Sequence, residues 1–289
     1  MTEYQDRFRH PDVHFEQHPE LQYLRLISDL ISFGDRRETR NGSVVSLFGR
    51  VMYFNLEKYF PLLTTKKMFF KGILSELAWF LRGSTDVTEL HQDDNHIWDA
   101  NTSERDFDAG PVYGFQWRHF GAEYTDCKGQ YEGIDQVASL IDNIKKNPHS
   151  RRLILSAHNP KDEPKMCLPP CHMTYQFYVR EGRLHCQMYQ RSADVFLGLP
   201  FNIASTALLT HLLAHETSLL PGSIRIVLGD CHIYESHMAV AAEQLRRVPY
   251  TFPTIKIERE SDGLKNVTVN DIVLENYRHH SKLYAKMVI

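Results

Sequence analysis

No part of this chain is apolar for long enough to cross a bilayer. Its two most apolar windows are Met68–Leu81 and Ile203–Leu220. Lys71, Ser75 and Glu76 interrupt the first; Thr206, Thr210, His211, His215 and Glu216 interrupt the second. A membrane span needs about 20 mostly apolar residues, so both windows read as buried helices. Cysteines are few and odd in number, 5 in 289 residues. That is not the disulfide framework of a secreted protein, and it points to free thiols in a reducing compartment. An excess of charge is lacking too: 33 Lys and Arg face 36 Asp and Glu, a net −3. This argues against a generally basic nucleic-acid binder and leaves room only for local basic clusters. Repeats, low-complexity tracts and Pro/Gly/Ser linkers are missing, so a single compact domain is expected. Met1–Glu20 is rich in Asp, Glu, His and Arg and contains no apolar core for a leader. It is expected to be a loose polar arm, ahead of one compact domain over 21–289.

With 42% apolar residues, the chain can bury a large core. Apolar residues at Leu24, Leu26, Ile27, Leu30 and Ile31 predict a helix over Leu21–Phe33, stopped by Gly34. Further helices are predicted over Lys71–Leu81, Asp135–Lys146 and Ile203–Leu220, with Asn202 at the start of the last. Ser46–Asn55 and Leu153–Ser156 read as strands. His172–Val179 alternates apolar and polar residues, Arg180-Glu181-Gly182 turns, and Leu184–Arg191 alternates again, a hairpin pattern. Pro221-Gly222 reads as a turn into a strand over Ile224–Leu228, and Thr254–Glu258 as a late strand. Helices and strands mix without strict βαβ order. The fold class is therefore α+β, a mixed sheet packed by helices.

Four places could carry chemistry. Cys171 follows Pro169-Pro170 and precedes His172. Two prolines impose a rigid, extended approach and present the thiol at a strand entry. Such a cysteine is either a nucleophile, its pKa lowered by nearby cations, or a packed structural thiol. Cys167, Cys171, His172, Cys231 and His232 also raise the question of a metal. Their spacing misses the usual zinc patterns, and neighbours on a strand face opposite ways, so no metal is expected. Arg40, Arg151, Arg152 and Arg191 are either surface charge or a phosphate clamp. Asn202, in Gly-Leu-Pro-Phe-Asn-Ile, is either a helix cap or a carboxamide that reads a heterocycle. His232 and Tyr234 fall on one side of a strand and could hold a sugar hydroxyl.

These residues sit in long, ordered motifs: Leu-Leu-Thr-Thr-Lys-Lys at 62–67, Ile-Trp-Asp at 97–99 and Gly-Pro-Val-Tyr-Gly-Phe-Gln-Trp-Arg at 110–118. Ser-Arg-Arg at 150–152, Leu-Pro-Pro-Cys-His at 168–172, the run 190–205 and Gly-Asp-Cys-His-Ile-Tyr at 229–234 follow. From about Arg40 onward the chain resembles the folate-dependent thymidylate synthases. The resemblance implies reductive methylation of dUMP to dTMP, with 5,10-methylenetetrahydrofolate as carbon and hydride donor and no metal. It implies Cys171 as the nucleophile at C6 of uracil. Glu76 and Tyr113 would organise proton transfer, Trp98 would support the folate cation, and Asp194 and Asn202 would bind and orient. The dUMP site would comprise Arg40, His172, Gln190, Arg191, Ser192, Asp194, Asn202, His232 and Tyr234, with Arg151 and Arg152 reaching across from the other subunit of a sheet-to-sheet homodimer. The folate would meet Glu76, Ile97, Trp98, Asp194, Leu197, Gly198, Phe201 and Val288, as the tail Met287-Val288-Ile289 closes. A cytoplasmic enzyme is implied, nuclear as well in a eukaryote.

The sequence departs from the family pattern at His158 (usually Trp), Thr206 (usually Tyr) and Glu235-Ser236, and the loop after Arg40 is one residue short. The rival on the same scaffold is a dUMP hydroxymethylase, which captures water instead of hydride. Asn202 in place of an acid disfavours a cytosine substrate. A non-catalytic nucleic-acid-binding homologue is disfavoured by the intact Cys171 and the net charge of −3.

Overall fold

The computed structural model describes residues 18–288. The expected polar arm over 1–20 lies mostly outside these residues. Its last member, Glu20, is fully buried and accepts hydrogen bonds from the backbone and hydroxyls of Thr64 and Thr65 at 2.6–2.9 Å. Ordered structure therefore begins before Leu21. Helix α1 (Leu21–Phe33) follows and buries the predicted stripe, Leu24, Leu26, Ile27 and Leu30, together with Tyr23. Gly34 ends it in an extended conformation. A Cβ there would stand 2.3 Å from Val45 Cγ1 and 2.6 Å from the Leu30 carbonyl, so glycine is required by close approach to the sheet.

Six strands form the main sheet in the order β1-β2-β6-β5-β4-β3. They are β1 (Asp35–Thr39), β2 (Gly42–Asn55), β3 (Ile154–Ser156), β4 (His172–Arg180), β5 (Arg183–Asp194) and β6 (Leu220–Tyr234). Every pairing is antiparallel except β5 with β6, which the long helix α6 (Gly198–Glu216) joins as a crossover. This single parallel step makes the sheet mixed, as expected for α+β. The β4–β5 hairpin turns at Glu181-Gly182. Strands β7 (Thr254–Ile257) and β8 (Ile272–Glu275) pair separately.

Two expectations about α6 are corrected. It begins at Gly198 rather than Ile203, because Pro200 sits in the first helical turn, where its missing N–H costs nothing. It ends at Glu216, and the chain reverses at Ser218, a left-handed residue (φ 57°). Pro221-Gly222 therefore lies inside β6 instead of forming the turn. Fourteen of the 19 residues of α6 are buried, so it is a core helix with no solvent face.

Helices α2 (Phe70–Arg82), α3 (Asp99–Thr102), α4 (Tyr113–His119), α5 (Gln136–Lys146) and α7 (Met238–Gln244) complete the packing. Asp135 caps α5 by accepting from Ala138 N–H at 2.8 Å, and it also pairs with the buried Arg118 at 3.0 Å. The core is continuous from Tyr23 to Ile272. The helices cover one sheet face, where Tyr175, Phe177, Cys186, Met188, Ile224 and Ile226 point. The opposite face stays open, with Tyr178, Tyr189 and Val51 exposed. Among the described residues, no helix is long and apolar enough to cross a membrane.

Register gathers the chemistry at one end of this sheet. Strands β5 and β6 run in parallel and finish together, with Asp194 opposite His232. Antiparallel β4 starts at that end, with His172 opposite Gln190. Antiparallel β2 also starts there, with Val44 opposite Tyr234 and Arg40 in the turn just before it.

Candidate active site

Cys171 is fixed through its backbone. Its N–H donates to the Tyr113 hydroxyl at 2.8 Å, and its carbonyl accepts from the Arg191 N–H at 2.9 Å. The Arg191 guanidinium donates to the Pro170 and Pro169 carbonyls at 2.9 and 2.8 Å. Prolines cannot donate, but their carbonyls hold the arginine beside the thiol. These bonds use two of the five guanidinium N–H groups and leave the others for an anion. The expected lowering of the Cys171 pKa is not what the chain produces. Burial pushes the thiol up, and the opposing pull of Arg191 and the Tyr113 hydroxyl is weaker. Among the described residues, Arg191 is the cation that acts on the thiol.

Tyr113 opens α4 and is buried. Its ring stacks on His172 at 4.1 Å and packs on Phe80 at 4.7 Å. Burial, with the nearby Cys171, holds its hydroxyl far above the ordinary range, so it stays protonated. His172 shares its Nδ1 with the Tyr175 hydroxyl at 2.6 Å. Burial pushes its pKa down to about 3, which keeps the ring neutral. Glu76, from α2, accepts from the Trp98 indole N–H at 2.7 Å. Dense surrounding protein raises its carboxyl to about 7, against the pull of that hydrogen bond.

Asn202 lies inside the first turns of α6, whose cap position is Leu197, so the helix-cap alternative falls. Its Oδ1 accepts from Gln190 Nε2 at 2.9 Å. Gln190 is buried and also donates to the Ser192 carbonyl, and its Oε1 has no partner among the described residues. A buried, unsatisfied carbonyl beside a carboxamide is a place where a polar ligand belongs. Asp194 accepts from Phe196 and Leu197 N–H at 3.0 Å each, which sets the turn into α6. Gly198 lies between Asp194 and Asn202; a Cβ there would stand 3.7 Å from one and 4.0 Å from the other. That space is free for a ligand. Ile97, Leu197 and Phe201 are part-buried at the edge of the core, while Trp98 is buried against Trp79 and Phe80.

His232 and Tyr234 do share a side, with rings 5.4 Å apart, edge to face. His232 Nδ1 bonds Asp230 at 3.0 Å. Burial raises the Tyr234 hydroxyl; Asp194 and Cys171 reinforce the rise, and the Asn41 hydrogen bond and Arg40 oppose it. Arg40, though exposed, thus belongs to this end of the sheet. Val288 is half-buried in the tail, which is tied down where the Lys286 carbonyl meets His237 Nε2 at 2.8 Å. Ile289 lies outside the described residues.

Arg151 and Arg152 are not brought to this cluster. Both are exposed just before β3, the edge strand farthest from β1. Leu153 pairs with Phe177, so the two arginines sit near the far end of β4. At about 3.3 Å per residue this is on the order of 20 Å along the strand from Cys171.

Two roles were not visible in the sequence. One is the Tyr113 hydroxyl as the acceptor that holds the Cys171 backbone. The other is Lys66, buried beneath the site, where its ammonium donates to the Phe196 carbonyl and sits 3.9 Å from that ring's centre. Burial lowers its pKa to about 7, with Asp194 and Glu20 pulling it up. Its place in the 62–67 motif was the available signal. Among the departures, the Thr206 hydroxyl is satisfied by the Asn202 carbonyl at 2.7 Å, and Glu235 pairs with Arg36 at 3.6 Å. Nothing in the structure explains His158 or Ser236.

Fold and site together define an α+β scaffold built around one strand-end cysteine, held between an arginine and a buried tyrosine. The thymidylate synthase family model matches residues 21–289, and the chain belongs to that family. It is 47% identical over 288 residues to the thymidylate synthase of Herpesvirus ateles, covering 95% of this chain and 99% of that one. Against the thymidylate synthase of varicella-zoster virus (strain Dumas) the identity is 48%, covering 93% and 94%. It is also 48% identical to a putative bifunctional dihydrofolate reductase-thymidylate synthase of Oryza sativa subsp. japonica. That match takes in 96% of this chain but 59% of the rice protein, so the chain spans well under two thirds of such bifunctional relatives.

Proposed function

We propose that this protein converts dUMP to dTMP, with 5,10-methylenetetrahydrofolate consumed to dihydrofolate. The observation that carries the reading is Cys171, clamped by Tyr113 and Arg191 at the strand end that also holds Asn202, His232 and Tyr234. Cys171 Sγ adds to C6 of uracil, and the displaced electron pair moves toward O4 and leaves C5 nucleophilic. Asn202 receives N3–H and O4, its orientation set by the Gln190 donor. Arg191, Arg40 and Ser192 take the phosphate, and His232 and Tyr234 the ribose hydroxyl. Glu76, titrating near 7, exchanges protons with the pyrimidine close to neutral pH.

The residues present fit a folate. Ile97, Leu197 and Phe201 offer an apolar edge, Gly198 leaves room beside Asp194, and Trp98 stands behind with its N–H already on Glu76. When bound, the folate supplies the one-carbon unit and then the hydride. Trp98 and the tail around Val288 exclude water, which separates methylation from hydroxymethylation.

The reading includes a homodimer joined through the open sheet face, where Tyr53, Gln176, Tyr178, His185 and Gln187 line a shallow hollow. The distance of Arg151 and Arg152 from their own Cys171 supports their donation to the neighbouring subunit's phosphate site. Residues 21–289 act as one catalytic domain. Five free cysteines fit a reducing compartment, the cytoplasm.

The test is to incubate the protein with dUMP and methylenetetrahydrofolate. The absorbance of dihydrofolate should rise and dTMP should form. Cys171→Ser should abolish turnover and keep dUMP binding. A hydroxymethyl product with tetrahydrofolate, or full activity in Cys171→Ser, would overturn the reading.

A further inference from the structure

Flanking Ile97 and Trp98 is a cluster of side chains that the proposed reaction does not use. The 3-10 turn Val87–Asp93 ends at Asp94, a left-handed residue (φ 56°) whose N–H donates to the His91 carbonyl at 3.0 Å. The reversal stacks two imidazoles, His91 on His96, with ring centres 4.6 Å apart and planes at 29°. Each ring aims one nitrogen at a different oxygen of Asp99, the first residue of α3. His91 Nε2 is 2.8 Å from Oδ1, and His96 Nδ1 is 2.8 Å from Oδ2. Donor atoms of all three side chains lie within 4.8 Å of one another.

We propose that His91, His96 and Asp99 form a binding site for a divalent zinc-class cation, structural in effect and separate from the reaction centre. Two imidazoles and one carboxylate, with no sulfur, are a donor set suited to zinc and its neighbours, with a fourth position left for water. Tetrahedral ligands at about 2.0–2.1 Å from zinc stand roughly 3.3 Å apart, so a small adjustment of these side chains admits the ion. The three side chains are 30%, 56% and 31% exposed, which gives an entry path and an open position.

The surroundings favour the ion over a simple hydrogen-bonded staple. Among the described residues no Lys or Arg pairs with Asp99, so its charge is met only by the two rings. Asp94 Oδ1 stands 3.6 Å from His96 Nε2, the nitrogen turned away from Asp99. In the empty site Nδ1 carries the proton toward Asp99; when an ion takes that nitrogen the proton moves to Nε2, where a small movement of the Asp94 carboxylate lets it accept, the usual outer-shell arrangement. Phe107 packs edge-on against His91 at 5.4 Å and limits its rotation. Binding needs neutral rings and only a shift of their protons to the outer nitrogens, with no redox step. The ion would tie the 3-10 turn to α3 on either side of Ile97 and Trp98, the pair next to Glu76.

The test uses the full chain, stripped with a chelator, then titrated calorimetrically with zinc chloride and followed optically with cobalt(II). The His91→Ala/His96→Ala double variant and the single variants His96→Gln and Asp94→Ala are compared with wild type. His96 is exposed enough for His96→Gln to leave the fold intact. Wild type should bind one equivalent of zinc that the double variant loses. Affinity should drop more than about 100-fold in His96→Gln and about ten-fold in Asp94→Ala. Cobalt should give visible nitrogen/oxygen-site bands without sulfur-to-cobalt charge transfer, and zinc should raise the melting temperature of wild type but not of the double variant. Wild-type stoichiometry and affinity in the variants, thiolate-dominated cobalt spectra, or no zinc bound by wild type would each overturn the proposal.

Discussion

Burial pushes two groups at the active end toward their neutral forms, the Cys171 thiol and the Glu76 carboxyl. For Glu76 the shift is large, from 4.5 to about 7, and it has a consequence for stability. The unfolded chain releases this proton near 4.5, while the native state holds it until about 7. The native state therefore loses stability as pH rises through that window, and the loss is complete above it. A shift of this size corresponds to about 3 kcal/mol. Gln in its place cannot ionise yet still accepts from the Trp98 indole. Glu76→Gln should match wild type near pH 4.5 and exceed its stability by about 3 kcal/mol above pH 7, read from urea unfolding at a series of pH values. A difference that stays flat across pH would show that Glu76 is not held protonated. At this scale the sequence revealed which atoms matter but not how they are tuned. Pro-Pro-Cys-His announced a presented thiol, and nearby arginines suggested a low pKa. Desolvation depends on what packs around the sulfur from distant parts of the chain, and no local motif reports that.

The placement of Tyr113, and so of Cys171, depends on how closely two helices approach. Gly114 in α4 meets the backbone of Phe80 in α2: a Cβ there would stand 2.7 Å from the carbonyl oxygen and 2.9 Å from Cα. Backbone cannot swing aside as a side chain can, so Gly114→Ala must push α4 off α2. The expected cost is about 1–3 kcal/mol of overpacking. Because Tyr113 is the adjacent residue and its hydroxyl holds the Cys171 N–H, turnover should fall by roughly ten- to a hundred-fold as well. Unchanged melting temperature and kcat would contradict the contact. Elements with a clear period were legible: α1, α2, α5 and the β4–β5 hairpin fall within a residue or a few of expectation. Those misplaced all involve proline or glycine. Gly-Leu-Pro at 198–200 looks like a turn but starts α6, and Pro221-Gly222 looks like a turn but lies in β6. Both residues punctuate a chain only where a hydrogen bond would otherwise be needed, and that depends on the tertiary neighbours.

Among the described residues one sheet face is left without helices, and two arginines of the expected phosphate site stand on the order of 20 Å from the thiol they should serve. The proposed two-fold dimer through the open face would account for both features, because a symmetric interface would present each chain's Arg151 and Arg152 to its neighbour. This can be tested by mixing two impaired proteins. Chain one carries Cys171→Ser; chain two carries Arg151→Ala and Arg152→Ala. If sites are shared, both homodimers are impaired at every site. A heterodimer pairs one wholly defective site, lacking both thiol and arginines, with one wholly intact site. Random exchange of equal amounts makes half the dimers hybrid, so activity should rise to about one quarter of wild type. If each site is built within one chain, every site in the mixture keeps its own defect, and activity stays at the average of the parents whatever the time allowed for exchange. Sedimentation at the assay concentration shows whether the dimer is present. A dimer that exchanges subunits, measured by labelled chains, and still shows no recovery would place the phosphate clamp elsewhere.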